Sequence, residues 1–282
     1  MQRYRIVHRT YYNFSAPVTL GAHTMLLRPR ENHELRIQSL SLDISPQAEL
    51  RWHRDVEDNS VAIATFGAPV QQLAIKSDVV ICQYLENPLD FLVADYAISY
   101  PFTYQPDDLV MLAPYMTGAG RVADGNLASW INRLWKQGEA IQTYSLLRRL
   151  NEAINQTFTY KVREEPGVQS AAQTLASGTG SCRDFALLLM SAARSLGLAA
   201  RFVSGYLHVP QMSDPGATHA WAEVYLPGAG WKGFDPTAGT MVGTDHIPVA
   251  VARLPESVPP VAGSFTGAAS STLEVGVWVS PC

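Results

Sequence analysis

One cysteine in this chain of 282 residues has neighbours that favour nucleophilic chemistry. Cys182 ends the run GTGSC at residues 178–182, and the apolar spacing that follows predicts a helix beginning at this point. A thiol attacks a carbonyl carbon as its thiolate, and the unpaired N–H groups and positive dipole end of a helix N-terminus stabilise that anion. The position alone is weak evidence of chemistry, because a lone cysteine in an apolar sequence is more often a small buried side chain.

Two downstream residues could complete a nucleophile, base and orienter arrangement. His219 opens the strand-like segment HAWAEVYL, and Asp235 ends the next strand-like stretch. An imidazole could pair with the thiolate, while a carboxylate on its far nitrogen would fix the tautomer and stabilise the charged ring. The two residues can meet as hairpin partners only on one sheet face, which predicts an odd loop, for example residues 227–229, or a bulge. Taken singly, a histidine on a strand is more often structural, and an aspartate before a proline is more often a turn former.

A family resemblance joins these positions. The run SCRDFALLLMSAARSLGLAARFVSGY, followed by THAWAEVYLPGAGWKGFDPTAG, resembles the core motif set of the transglutaminase-like superfamily. In that family the helix-borne cysteine, the histidine of the H-A-W segment and the aspartate of the F-D-P-T segment form a papain-like triad. By resemblance these residues are Cys182, His219 and Asp235. The β-rich N-terminal part also resembles the region that accompanies this domain in a bacterial subgroup.

Further residues near the cysteine are candidates for binding substrate or the oxyanion. The backbone N–H of Cys182 is the first oxyanion donor by position, and the sequence assigns no second one. Gly180 and Ser181 precede the thiol and are predicted to line the substrate or oxyanion site. Trp221 either packs over the catalytic histidine and excludes water or belongs to the core. Asp184 is interpreted as a first-turn carboxylate that supports the helix rather than as a catalyst.

The pattern of strand-like and helical segments that must position these residues predicts an α+β fold. Up to about residue 86, short segments with period-two alternation, separated by turn-forming clusters, predict an antiparallel β-sandwich. Helical spacings follow, and the best delimited helix is capped by Ser181, buries a stripe that includes Phe185 and Leu189, and ends near Gly197. Three strand-like segments, ARFVSGYL, HAWAEVYL and WKGFDPT, come next.

These elements predict two domains and a tail. We predict an N-terminal β-sandwich over residues 1–100 and a papain-like, transglutaminase-like catalytic domain over residues 101–247. Prolines at positions 88, 101 and 106 mark the connection between them. Residues 248–282 form a β-rich tail, ending in the alternating LEVGVWVS, that is expected to pack on one of the two domains.

The composition of the chain limits the classes of binding partner and the cellular compartment that we expect. With 21 basic and 25 acidic residues and no run of Lys or Arg, a nucleic-acid partner is not expected. No window reaches the roughly 18 apolar residues that span a bilayer, and the N-terminal segment lacks the apolar stretch of a signal peptide. Three scattered cysteines, Cys82, Cys182 and Cys282, do not form a disulfide framework. We therefore expect a cytoplasmic protein without a membrane partner.

The resulting hypothesis is cysteine-dependent acyl transfer on a peptide or amide substrate through a thioester. Hydrolysis by a peptidase or amidase is preferred because no dedicated amine site is indicated, and a protein-glutamine transglutaminase stays open. A non-catalytic binding module on the same fold is disfavoured because all three triad residue types are present. A metal-dependent hydrolase is disfavoured because His208, His246 and Glu223 lack the spacing of metal ligands. No metal or cofactor is therefore expected.

Overall fold

A computed structural model of the chain describes residues 1–117, 125–163, 165–210 and 215–282. Its first part contains six strands: β1 (Gln2–Leu20), β2 (His23–Met25), β3 (Leu35–Ser45), β4 (Glu49–Arg54), β5 (Ser60–Thr65) and β6 (Val70–Gln83). Buried and less buried side chains alternate along much of β1 and β6, as expected for strands with one face in a core.

The six strands form two antiparallel sheets that pack face to face. β6 lies between β1 and β3 in the first sheet, and β5 lies between β2 and β4 in the second. Leu73 and Ile75 from the first sheet share one buried core with Met25, Ala62 and Ala64 from the second. The predicted antiparallel β-sandwich is therefore confirmed. Strand β4 is not among the strand-like segments predicted from the sequence, and all six of its side chains are exposed.

The helical part contains five α-helices among the described residues. The elements are β7 (Ser99–Tyr100), α1 (Pro106–Met116), α2 (Gly125–Leu134), β8 (Ile141–Gln142), α3 (Thr143–Thr157), β9 (Thr159–Tyr160), α4 (Ala171–Ser177), β10 (Thr179–Gly180) and α5 (Cys182–Ser195). The helix predicted from the Ser181 cap is thus present, and Gly197 follows its end with a φ of 75°, a backbone conformation that favours glycine.

A five-stranded antiparallel sheet covers one side of α5. It comprises β11 (Ala200–Leu207), β12 (His219–Leu226), β13 (Gly230–Asp235), β14 (Thr240–Met241) and β15 (His246–Ala252), in the order β14-β13-β12-β11-β15. Ala222 and Val224 of β12 lie in the same buried cluster as Leu188 and Leu189 of α5. Burying a large aliphatic side chain stabilises the fold by roughly 1.5–3 kcal/mol, so this contact fixes the helix on the sheet.

The last strands return to the N-terminal sandwich. β16 (Val261–Ala262) pairs with β2, while β17 (Phe265–Thr266) and β18 (Ser271–Pro281) pair with β1. The predicted division at residue 248 falls inside β15, and the residues after it add strands to both parts of the molecule instead of packing on one. Backbone pairing is open to almost any strand sequence, so alternation alone does not say which sheet edge a strand joins.

None of the helices in the described ranges has the length and apolar character required to cross a lipid bilayer.

Candidate active site

Cys182 occupies the first position of α5, and its thiol is half-buried. At this position the backbone N–H has no acceptor within the helix, since the acceptor of an α-helical bond lies four residues earlier. Ser181 is the N-cap residue, and its N–H and Oγ–H both donate to Asp184 Oδ2 at 2.8 Å. The start of the helix, and with it the thiol, is therefore fixed by local hydrogen bonds.

Asp184 also ties the helix to a distant segment. Its side chain is fully buried, and its carboxylate accepts from Arg163 Nη1 at 2.8 Å and from the Gln169 N–H at 2.7 Å. Burial disfavours the charge, but the hydrogen bonds from Ser181, Gln169 and Arg163 outweigh this and hold the pKa of Asp184 below its usual range. The predicted structural role of Asp184 agrees with these contacts.

The strand register brings His219 and Asp235 together. β12 and β13 pair from Ala222–Phe234 to Leu226–Gly230, which leaves a loop of residues 227–229. This three-residue loop is the example predicted from the sequence, and it places Asp235 across from Trp221, one diagonal step from His219. His219 Nε2 lies 2.8 Å from Asp235 Oδ2. The prediction that the two residues share a sheet face is confirmed.

The His219 ring lies between a carboxylate and a thiol. Its Nε2 faces Asp235, and the Cys182 thiol lies near enough to the ring to help raise its pKa, with Nδ1 as the nitrogen that Asp235 leaves free. Burial opposes the charge of the ring, yet the interactions with Asp235 and Cys182 outweigh it and raise the pKa of His219 to about 10. The ring is therefore an imidazolium at neutral pH, positioned to pair with a thiolate.

Asp235 accepts four hydrogen bonds. Its Oδ1 accepts from the N–H groups of Thr237 at 2.8 Å and Ala238 at 3.3 Å, which is the turn that an aspartate before proline often forms. Its Oδ2 faces His219 and also His246 Nε2 at 3.1 Å. Burial disfavours the carboxylate, but the bonds with the two histidines outweigh it and hold the pKa of Asp235 well below its usual range. Asp235 is thus both a turn former and a partner of His219.

A cleft of about 390 Å³ opens at Cys182 and His219. We call it the Cys182 cleft. Its walls are largely apolar, and they come from the start of α5, the segment after β9, the strands β11 and β12, and the tail. Among the lining side chains are Val162, Val168, Phe202, Ala220, Val258, Pro259 and Pro260. The tail wall, which sequence patterns do not place, is held by the Leu26 N–H, which donates to the Pro260 carbonyl at 2.9 Å.

Comparison with known proteins identifies both parts of the chain. Residues 4–81 match the bacterial transglutaminase-like N-terminal region, and residues 134–236 match the transglutaminase-like superfamily. The chain contains a transglutaminase-like core, preceded by the N-terminal region of the bacterial transglutaminase-like type. The two matched regions contain the β-sandwich strands and the elements that carry Cys182, His219 and Asp235, so the resemblance stated from the sequence is confirmed.

Proteins of similar length match this chain over nearly its whole length. An uncharacterized protein of Mycobacterium tuberculosis is 29% identical over 306 residues, which cover 99% of this chain and 93% of its own length. An uncharacterized protein of Mycobacterium leprae is 26% identical over 290 residues, covering 99% of both chains. A crystal structure described as that of a candidate cysteine protease from Cytophaga hutchinsonii matches with a TM-score of 0.75 at 18% identity, covering 99% of this chain and 90% of that chain. This similarity confirms the α+β fold over the whole length.

Of the other three residues predicted for the site of this transglutaminase-like core, one lines the Cys182 cleft and two do not. Ser181 lines the Cys182 cleft. Gly180 does not line it: a Cβ at this position would lie 2.9 Å from the Phe185 ring, so the glycine allows α5 to pack closely. Trp221 is also outside the cleft, fully buried in a cluster with Val203 and Val251. The Trp221 ring lies in the core behind His219, with 6.2 Å between the two ring centroids. It is therefore not placed to contact a substrate in the cleft.

Among the residues that the structure describes, one cluster brings together three side chains of the types that ligate metals. The ligand atoms of His219, Asp235 and His246 lie within 4.8 Å of one another. The Gly243 N–H donates to His246 Nδ1 at 3.3 Å, so Nδ1 is the bare nitrogen and Nε2 carries the proton. Coordination through Nε2 would move that proton onto Nδ1, against the Gly243 N–H. The arrangement therefore suits a hydrogen-bonded carboxylate better than a metal centre.

Proposed function

We propose that the protein is a cysteine-dependent acyl-transfer enzyme that cleaves amide bonds, with Cys182 as nucleophile, His219 as acid and base, and Asp235 as the group that orients His219. The observation that carries this proposal is the position of one imidazole, which is hydrogen-bonded to a buried carboxylate and shares a cleft with a thiol at a helix N-terminus. This is the geometry that nucleophilic catalysis by cysteine requires.

The first half-reaction forms a thioester. The Cys182 thiolate adds to the amide carbonyl carbon, and the negative charge that develops on the carbonyl oxygen faces the N–H of Cys182 at the start of α5. The tetrahedral intermediate then collapses, and the carbon–nitrogen bond breaks as the His219 imidazolium transfers its proton to the departing amine. The products of this step are the free amine and an acyl group on Sγ.

The second half-reaction releases the acyl group. The neutral His219 takes a proton from water, the resulting hydroxide adds to the thioester carbon, and the thiolate leaves as the acid is formed. A primary amine in place of water would give a new amide, which is the transglutaminase reaction. We favour hydrolysis because the side chains that line the Cys182 cleft are mainly apolar. Among the described residues that line it, Glu256 is the one acidic side chain that could bind the ammonium group of an amine substrate.

The same cleft supports a peptide or amide substrate with an apolar side chain next to the scissile bond. Val162, Phe202 and Val258 offer apolar surface near Cys182, and burying a ligand methylene there contributes about 0.8 kcal/mol. Arg163 lines the cleft too, but its charge is paired with Asp184. The apolar walls therefore favour an uncharged substrate side chain, while Arg183, whose Nη2 donates to the backbone carbonyls of Arg163 and Glu165, also lines the cleft.

The test begins with the purified protein and a chloroacetamide peptide that has an apolar side chain beside the electrophile. We expect covalent labelling of Cys182, loss of labelling in Cys182→Ala, and normal labelling in the matched control Cys282→Ala. A library of fluorogenic peptide amides, with and without an added primary amine, then separates release of acid from formation of a new amide. Hydrolysis that survives Cys182→Ala would refute the mechanism, and labelling without turnover of any library member would favour a binding module.

A further inference from the structure

His246 contacts the proposed catalytic group without touching the cleft. It begins β15, its side chain is 7% exposed, and its Nε2 lies 3.1 Å from Asp235 Oδ2. The residue is not among those that line the Cys182 cleft, so it is placed to act on Asp235 and not on substrate. The His246 ring also packs edge-on against the Trp221 ring, with 5.2 Å between the ring centroids and an interplanar angle of 83°.

The hydrogen bonds of His246 define its tautomer. Nδ1 accepts from the Gly243 N–H at 3.3 Å, which leaves the proton on Nε2, where it points at Asp235 Oδ2. His246 thus donates to the carboxylate through Nε2. The oxygen that orients His219 is therefore held from a second side, while the other oxygen is held by the N–H groups of Thr237 and Ala238.

We infer that His246 is a positioning residue for the proposed Cys182–His219–Asp235 group, acting through the Asp235 carboxylate. With both donors on Oδ2, the plane of the carboxylate is fixed, and the His219 ring is held at one angle toward the Cys182 thiol. Without the His246 donor, Oδ2 keeps His219 as its one partner, and rotation about the Cβ–Cγ bond is opposed only by that bond and by the two N–H groups on Oδ1. The inference rests on the proposed function, since it assigns a role within that site.

The sheet is built to let His246 reach Asp235. Between β12 and β15 lies β11, in which Gly205 pairs with both His219 and Pro248. A Cβ on Gly205 would lie 2.6 Å from the Trp221 ring and would collide with the Ile247 carbonyl. Because Gly205 has no side chain, the Trp221 ring spreads over β11 and supports the His246 ring at its edge.

A matched pair of substitutions separates donation from packing. In His246→Gln the side-chain amide reaches the position of Nε2 and can donate to Asp235, whereas in His246→Asn the amide ends near the position of Nδ1 and cannot. Both variants keep a polar, hydrogen-bonding side chain of similar character. The readout is the second-order rate of Cys182 alkylation by iodoacetamide at pH 6, measured by peptide mass mapping with Cys282 as the internal reference, after thermal unfolding confirms that each variant is folded.

We expect His246→Asn to lower the Cys182 rate about tenfold, the scale of one hydrogen bond to a charged group, and His246→Gln to stay within about threefold of wild type. In an Asp235→Asn background, His246→Asn should cause no further loss, because the group through which it acts is gone. Equal rates in the two variants, or a full additional loss in the Asp235→Asn background, would overturn the inference. A wild-type Cys182 that reacts no faster than Cys282 would instead count against the proposed function.

Discussion

At the scale of single residues, the charge of His219 decides what Cys182 can do. The ring has a carboxylate on one nitrogen and a thiol on the other, and its pKa of about 10 keeps it charged over the physiological range. A thiolate beside an imidazolium is the reactive form of a catalytic cysteine. The other two cysteines have different surroundings, which makes them internal controls: Cys82 is buried and accepts from Gln38 Nε2, and Cys282 is exposed.

The first prediction is selective alkylation of Cys182 at low pH. At pH 6 an ordinary thiol, with a pKa of about 8.5, is less than about 1% ionised, so an accessible but unpaired thiol reacts slowly. We expect limiting iodoacetamide to modify Cys182 before Cys282, and His219→Ala to diminish this preference because the ion-pair partner is lost. Peptide mass mapping after brief exposure measures the order. Faster reaction of Cys282 would show that Cys182 is unactivated or occluded.

The second prediction concerns Asp235→Asn. The amide keeps the size of the side chain but removes its charge, so the pKa of His219 should fall from about 10 toward its ordinary value, with a loss of turnover of up to about four orders of magnitude as in other triads. The pH dependence of stability follows from the same shifts. A raised His219 pKa stabilises the fold below about pH 6.5 and is lost as the pH rises toward 10, whereas the lowered Asp235 pKa stabilises it above about pH 3.8.

Denaturant unfolding at several pH values provides the measurement for this variant. The free energy of unfolding of wild type minus that of Asp235→Asn should be largest between about pH 4 and 6.5 and should shrink toward pH 10. A difference that stays constant over this range would contradict the assigned ion pair. Asp235→Glu is the control that retains the charge, and it should keep the pH dependence even where its longer side chain lowers activity.

At the scale of elements, the start of α5 depends on Asp184. This buried carboxylate joins the N-cap residue of the helix to Arg163 and Gln169, and the segment that contains those two residues also forms part of the Cys182 cleft. The capping contacts are local, but the ion pair with Arg163 spans 21 positions. The helix terminus and one wall of the cleft are therefore held by a single side chain.

The third prediction is that Asp184→Ala destabilises the protein by about 3–5 kcal/mol, because it leaves the Arg163 charge without its buried partner. The matched control is Glu152→Ala in α3, which removes an exposed ion pair with Arg148 and should cost no more than about 0.5 kcal/mol. Urea unfolding measures both free energies. Similar values for the two variants would show that the Asp184 contacts do not hold the helix terminus.

At the scale of the whole molecule, the sandwich and the transglutaminase-like core share a buried cluster. Ile6 and Val79 of the first sheet pack there with Tyr206, Ile247 and Val249 of β11 and β15. The tail adds a further link, since β18 pairs along β1 and the Val277 N–H and carbonyl bond to Gly216, three residues before His219. The two parts predicted as domains are therefore expected to unfold together.

The fourth prediction tests this coupling with Tyr206→Phe. The Tyr206 hydroxyl is hydrogen-bonded to His8 Nδ1 at 3.0 Å, and both side chains are about 1% exposed. Loss of the hydroxyl leaves the buried His8 nitrogen without this partner and should cost about 1–3 kcal/mol. Amide hydrogen exchange should show equal losses of protection in β6 and β12, with Tyr84→Phe, an exposed site, as control. A loss confined to one of the two strands would indicate independent units.

The sequence by itself determined the local parts of this structure. β11 and β12 begin and end at the residues that alternation indicates, and α5 begins directly after its capping serine. The pairing of His219 with Asp235 belongs here in part, because the period of two allows it only with an odd loop or a bulge, and the structure has the loop of residues 227–229. These features follow from interactions among residues close in the chain, which is why propensity, caps and turn lengths predict them.

Only the tertiary structure decided the partners that lie far apart in the chain or outside any periodic pattern. His246 shows no spacing that connects it with Asp235, since the two meet across the intervening strands β12 and β11, where Gly205 of β11 leaves room. The tail wall of the Cys182 cleft and the burial of Trp221 were decided in the same way. Backbone pairing and close packing select these contacts by the shape of the neighbouring elements and the space between them. The residues that are adjacent in the chain do not determine that shape or that space.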